Sequence, residues 1–126
     1  MERIISYLPV ISLCVGGWDV VNGLLHDIFV LIEHWKKAMP AAGRYDRDLL
    51  RLLMDGHILI TCGILQMLAY KGLQGSGHWG YYISGVACIS LLVYCGMIFP
   101  FLRSFGTIFL NASLLFLLIM SYFKLS

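Results

Sequence analysis

Residues 81–99 read Tyr81-Tyr-Ile-Ser-Gly-Val-Ala-Cys-Ile-Ser-Leu-Leu-Val-Tyr-Cys-Gly-Met-Ile-Phe99, a stretch without one charged side chain. As a helix rising about 1.5 Å per residue it matches the roughly 30 Å hydrocarbon core of a bilayer, which takes about 20 apolar residues. Three further apolar stretches surround it, at about 4–25, 49–70 and 106–123, the first two interrupted by Asp19 and by Arg51 and Asp55. A helix satisfies its own backbone in lipid. None of the four stretches shows the alternating polarity of a transmembrane strand. The sequence therefore predicts an all-α polytopic membrane protein, a four-transmembrane-helix bundle forming one integral membrane domain over 1–126.

Composition agrees. The chain has 126 residues, 60% hydrophobic and 13% charged, with a mean hydropathy of +0.82. Soluble domains carry about 25% charged residues, and a chain this short has little interior in which to hide an apolar excess. A net charge of +2 is too weak to call for a polyanionic partner, so no nucleic acid is expected. Membrane lipid is the expected partner, with a homo-oligomer or a larger membrane complex as the setting.

The run at about 4–25 is expected to be a retained helix rather than a signal peptide. Trp18, Asp19, Asn22, His26 and Asp27 stand where small residues would precede a cleavage site. Lys/Arg counting sets the expected orientation. Arg3, Lys71 and Lys124 fall on one side, against Lys36, Lys37, Arg44, Arg47, Arg51 and Arg103 on the other. That puts both termini outside and loops 26–48 and 100–105 in the cytoplasm.

After the first span, Ile28, Leu31, Ile32, Trp35 and Met39 recur at helical spacing. This predicts an amphipathic or interfacial extension over about 26–38, stopped at Pro40. A continuous helix over 4–38 would be about 52 Å long, longer than the hydrocarbon core. Asp46 or Asp48 can cap the second helix. The stretch 72–80, rich in glycine, reads as a flexible turn. The short connection at 100–105 makes an antiparallel hairpin of the last two helices.

The polar residues inside the spans carry what functional signal there is. Ser12, Gly16, Asp19, Gly23 and His26 share one stripe of the first helix. Small residues let helices approach and polar ones avoid lipid, so this stripe faces protein, with the second helix as its antiparallel neighbour. Asp48, Arg51, Asp55, Cys62 and Gln66 form a similar stripe on the second helix, where Arg51 and Asp55 are spaced for a local ion pair.

By depth, Asp19, Asn22, Asp55, Tyr94 and Asn111 fall in one layer of the cytoplasmic half. They are the candidate ligand- or proton-binding residues, because intramembrane acids are costly and mark function. His26, His57 and Arg51 are weaker candidates. His57 lies about 200° around the helix from Asp55, so the two form no dyad.

The leading expectation is a polar pocket in the cytoplasmic half that binds a small ligand, ion or lipid headgroup, in an accessory subunit of a membrane complex. The alternative is a proton-coupled transporter or channel in which Asp19 and Asp55 share a proton. An intramembrane metal or haem enzyme comes third. No catalytic residue, metal ligand or cofactor is assigned. Cys14, Cys62, Cys88 and Cys95 all lie inside spans and read as packing residues.

Overall fold

The structure is a computed structural model that describes residues 2–37, 47–100 and 103–125. It is an all-α bundle of four long helices with a short one at the amino end. The short helix α1 spans Glu2–Ser6 and α2 spans Leu8–Lys37. Then follow α3, Arg47–Gln74, α4, Trp79–Ile98, and α5, Phe105–Leu125. All four long helices are long and apolar enough to cross a membrane. They pack in a ring, α2 on α3, α3 on α4, α4 on α5 and α5 back on α2.

The first span departs from the sequence expectation at both ends. It does not start at residue 4, because the chain breaks at Tyr7, whose N–H donates to the Ile4 carbonyl at 3.1 Å. Pro9 accounts for the break: it brings no N–H for the Ile5 carbonyl, and its ring disfavours the helical conformation just before it. At the far end α2 runs on without interruption to Lys37, 30 residues in all, or about 45 Å. The expected extension is thus a direct continuation of the span. The expected stop at Pro40 and the cap at Asp46 lie outside the described residues. Asp48 sits in the first turn of α3, where an acid complements the helix dipole.

The second correction concerns the glycine-rich stretch. Most of 72–80 is helical, with α3 reaching Gln74 and α4 starting at Trp79. Gly72 and Gly80 form a helix crossing: a Cβ on Gly80 would collide with the Gly72 carbonyl carbon. These glycines are present for close approach of two backbones, and only 75–78 connect the helices.

Glycines also set the main seam. A Cβ on Gly16 would stand 2.5 Å from the Gly63 carbonyl oxygen, and one on Gly23 would stand 2.6 Å from that of Gly56. The reverse contacts, from Gly63 to Gly16 and from Gly56 to Gly23, are 2.6 Å and 2.8 Å. The numbers in each pair total 79, and the pairs lie seven residues apart on both helices. That is an antiparallel register with a repeat of two turns, the spacing that keeps one seam in contact. Asp19 falls between the two pairs, and Ser12, Gly16, Asp19 and Gly23 all face inward, buried.

Counting back from the Gly72/Gly80 crossing, the last turn of α4 stands level with about residue 54 of α3 and residue 25 of α2. Both long helices therefore continue past the four-helix body. Ile28, Phe29, Ile32 and Trp35 are exposed along that continuation. In the body, Leu8, Val15, Cys88, Leu114 and Leu118 make one buried cluster. Leu59, Cys62, Ala87 and Leu91 make a second.

The glycine seam makes a signed prediction. Alanine ordinarily favours a helix over glycine by about 1 kcal/mol, yet at Gly16 or Gly63 the new methyl meets backbone, and overpacking costs about 1–3 kcal/mol. Gly16→Ala and Gly63→Ala should lower stability in mixed-micelle unfolding. Gly17→Ala and Gly85→Ala, where a Cβ meets nothing within 4 Å, should leave it unchanged or raise it. Equal effects at all four positions would contradict the seam.

Candidate functional site

Asp19 is wholly buried on the inward face of α2, opposite Asn111 of α5. The Asn111 Nδ2 group donates to both carboxyl oxygens, at 3.2 Å to Oδ1 and 3.0 Å to Oδ2. Its other hydrogen goes to the Thr107 carbonyl at 3.1 Å. That second bond fixes the orientation of the carboxamide, since a flipped group would set two oxygens against each other. Asn111 Oδ1 is then left buried without a hydrogen-bond partner. No Lys, Arg or His among the described residues pairs with Asp19. Its electrostatic neighbours are the thiols Cys62, Cys88 and Cys95 on α3 and α4. An aspartate at the centre of a spanning helix costs about 2.5–3.5 kcal/mol to insert, and among the described residues one amide is its only hydrogen-bond donor.

A second buried polar group lies nearer the chain termini. Gln66 of α3 is wholly buried, and every hydrogen-bonding atom of its side chain is satisfied. Its Nε2 group donates to the Ser84 carbonyl at 3.2 Å and to Cys88 Sγ at 2.9 Å. Its Oε1 accepts from Ser84 Oγ at 2.5 Å and stands 3.2 Å from Ser12 Oγ. Ser12 Oγ also donates to the Gln66 backbone carbonyl at 2.9 Å. The cluster binds α2, α3 and α4 together. Such bonds take the place of the hydrophobic force that lipid cannot supply between helices. Its complete satisfaction marks it as structural, in contrast to the open acceptor on Asn111.

The other sequence candidates lie at similar depth but form no hydrogen bond to the Asp19–Asn111 pair. Asn22 is half-buried and donates to the Trp18 carbonyl of its own helix at 3.0 Å. Asp55 is half-buried, and no ion pair joins it to Arg51, which is exposed. The neighbour of Asp55 is Tyr94 instead. The two are close enough to interact electrostatically, but the buried Tyr94 hydroxyl falls short of hydrogen-bond geometry.

No hydrogen bond joins Asp55 to Asp19. His57 is exposed. His26 Nδ1 lies 3.4 Å from Asp27 Oδ1, and Asp27 in turn packs against Gly56. Among the described residues no three His, Cys, Asp or Glu side chains gather as a metal-holding group. The four cysteines are free thiols.

Asp19 and Asn111 are the sequence candidates that the fold brings into direct contact. The part played by Ser84 and Thr107 was not visible beforehand. Ser84 meets its partner Gln66 on another helix, and Thr107 acts through its backbone carbonyl, which any residue type supplies. No family model, curated protein or solved structure matches the chain.

Removing one member of the Asp19–Asn111 pair should cost more than removing both. Asn111→Leu strands a buried carboxyl group without its donor, whereas Asp19→Leu with Asn111→Leu leaves only apolar contact. A double-mutant cycle of unfolding free energies should give a coupling of about 1–3 kcal/mol. Additive losses would contradict a direct bond.

Proposed function

We propose that this small multi-pass membrane protein binds a small ion at the Asp19–Asn111 pair. The supporting observation is the wholly buried Asn111 Oδ1, which accepts no bond beside a carboxyl group that has a single donor. Three oxygens and one N–H group make an acceptor-rich centre. Carboxylate and carbonyl oxygens hold hard cations, and a single carboxylate matches the charge of a monovalent one. Among the ligands a buried polar centre can take, the enclosure of both side chains favours one on the scale of a few atoms over a lipid headgroup. In this reading Asp19 supplies charge and Asn111 supplies a carbonyl oxygen while fixing the carboxyl group. Asp55, with Tyr94 nearby, lies toward the α2/α3 extension, the side that Lys/Arg counting assigns to the cytoplasm.

Thermal unfolding of purified protein in sodium, potassium and choline chloride at equal ionic strength tests this. An ion present at about 100 times its Kd stabilises the folded state by about 2.7 kcal/mol. Wild type should be stabilised by sodium or potassium relative to choline, and Asp19→Asn should lose that difference while keeping its helicity. Identical unfolding in all three salts, or an undiminished difference in Asp19→Asn, would overturn the assignment.

A further inference from the structure

At the opposite end of the bundle, where α1 meets α2, α3 ends and α5 ends, a cavity of about 500 Å³ opens between the helices. We propose that it holds the headgroup end of an anionic phospholipid. This site is separate from the Asp19–Asn111 pair and does not depend on it.

The lining divides by chemistry. Ser6, Gln74, Tyr81 and Ser121 supply polar groups, while Leu8, Leu73 and their apolar neighbours supply hydrocarbon. The volume falls in the roughly 300–1,000 Å³ range of small-ligand sites, enough for part of a lipid but not for all of it. An amphiphile with its chains running out between the helices suits both halves.

Three features identify the head. Tyr81 and Ser121 share one hydrogen bond of 2.9 Å. Whichever hydroxyl donates, the other keeps a hydrogen for a phosphate oxygen. Pro9, in the wall, has no N–H, so the Ile5 carbonyl beside it lacks its usual helical donor. A headgroup hydroxyl can fill that place.

Charge supplies the third feature. Arg3, Lys71 and Lys124 lie at this end, all exposed, against the one acid Glu2 at the start of α1. Basic side chains at the mouth of a pocket attract an anionic headgroup by charge, whichever leaflet holds it.

An aromatic belt marks this end as the membrane–water boundary. Tyr122 packs against His78, Tyr81 and Tyr82 with ring centroids 5.6, 5.8 and 6.3 Å apart. Trp79 is half-exposed beside them. A phosphate here sits at headgroup depth, with its acyl chains directed into the core.

The test is native mass spectrometry of the full chain, delipidated in neutral detergent, with dioleoyl phosphatidylglycerol or phosphatidylcholine at equal concentration. Phosphatidylglycerol should bind as a single adduct with about tenfold preference. Gln74→Trp, which sets an indole at the mouth from an exposed position, should cut that binding about tenfold.

Arg3→Gln, Lys71→Gln and Lys124→Gln together should reduce phosphatidylglycerol to the level of phosphatidylcholine. All four changes are at exposed positions, and circular dichroism checks that the helices persist. The proposal is overturned by equal binding of the two lipids to wild type, or by unchanged binding in Gln74→Trp. A preference that survives the triple substitution also overturns it. So does inorganic phosphate alone binding as tightly as the lipid, which would make the cavity a free-anion site.

Discussion

Backbone meets backbone at Gly16/Gly63 and Gly23/Gly56, and the rest of the bundle is arranged around that contact. Lipid is as apolar as leucine, so helices in a bilayer gain nothing from hiding hydrocarbon and associate by close packing and hydrogen bonds. Side chains at these four positions would push α2 and α3 apart. With glycine there, α2 and α3 run together in a fixed antiparallel register. That register puts Ser12 against Gln66 and leaves Asp19 between the glycine pairs, pointed at α5. Polar groups that would be prohibitive in lipid are thereby handed to protein partners.

The two buried polar centres differ in a way that bears on function. Around Gln66, each side-chain donor and acceptor finds a partner on α2 or α4. Around Asp19, one amide serves two carboxyl oxygens, and the amide oxygen itself goes unmatched. A satisfied network holds helices together and has no capacity left for a ligand. An unsatisfied one has capacity and costs stability, which is the usual signature of a site kept for use. The Gln66 centre therefore fastens the bundle, and the Asp19 centre is the one on which the proposed ion site rests.

Much of the architecture was legible because the bilayer imposes a length. Uncharged runs such as 81–99 can hardly be anything but spans. The inward stripe of Ser12, Gly16, Asp19 and Gly23 followed from helical spacing alone. Its partners did not, since the facing glycines 56 and 63 are identified only once the register between helices is known. The same holds for Asn111, which depth placed near Asp19 but which only packing could join to it.

The glycines at 72 and 80 misled for a related reason. Glycine serves flexible turns and close helix crossings alike, and sequence does not separate the two uses. Pro9, by contrast, carries a local signal: a missing N–H early in the first span is enough to predict the break at Tyr7. The satisfied cluster at Gln66 was hidden because Ser84 is an unremarkable residue until α4 is set beside α3.

The central claim is the direct approach of α2 and α3 backbones, and solid-state NMR of the protein in lipid bilayers measures it without substitution. Carbon–carbon distances between the α-carbons of Gly16 and Gly63, and of Gly23 and Gly56, taken with the about 2.3 Å radius of the α-carbon cylinder, should place the two helix axes well inside the about 8–10 Å of ordinary helix pairs. Correlations absent for both pairs, with α2 and α3 held at ordinary side-chain spacing, would contradict the account.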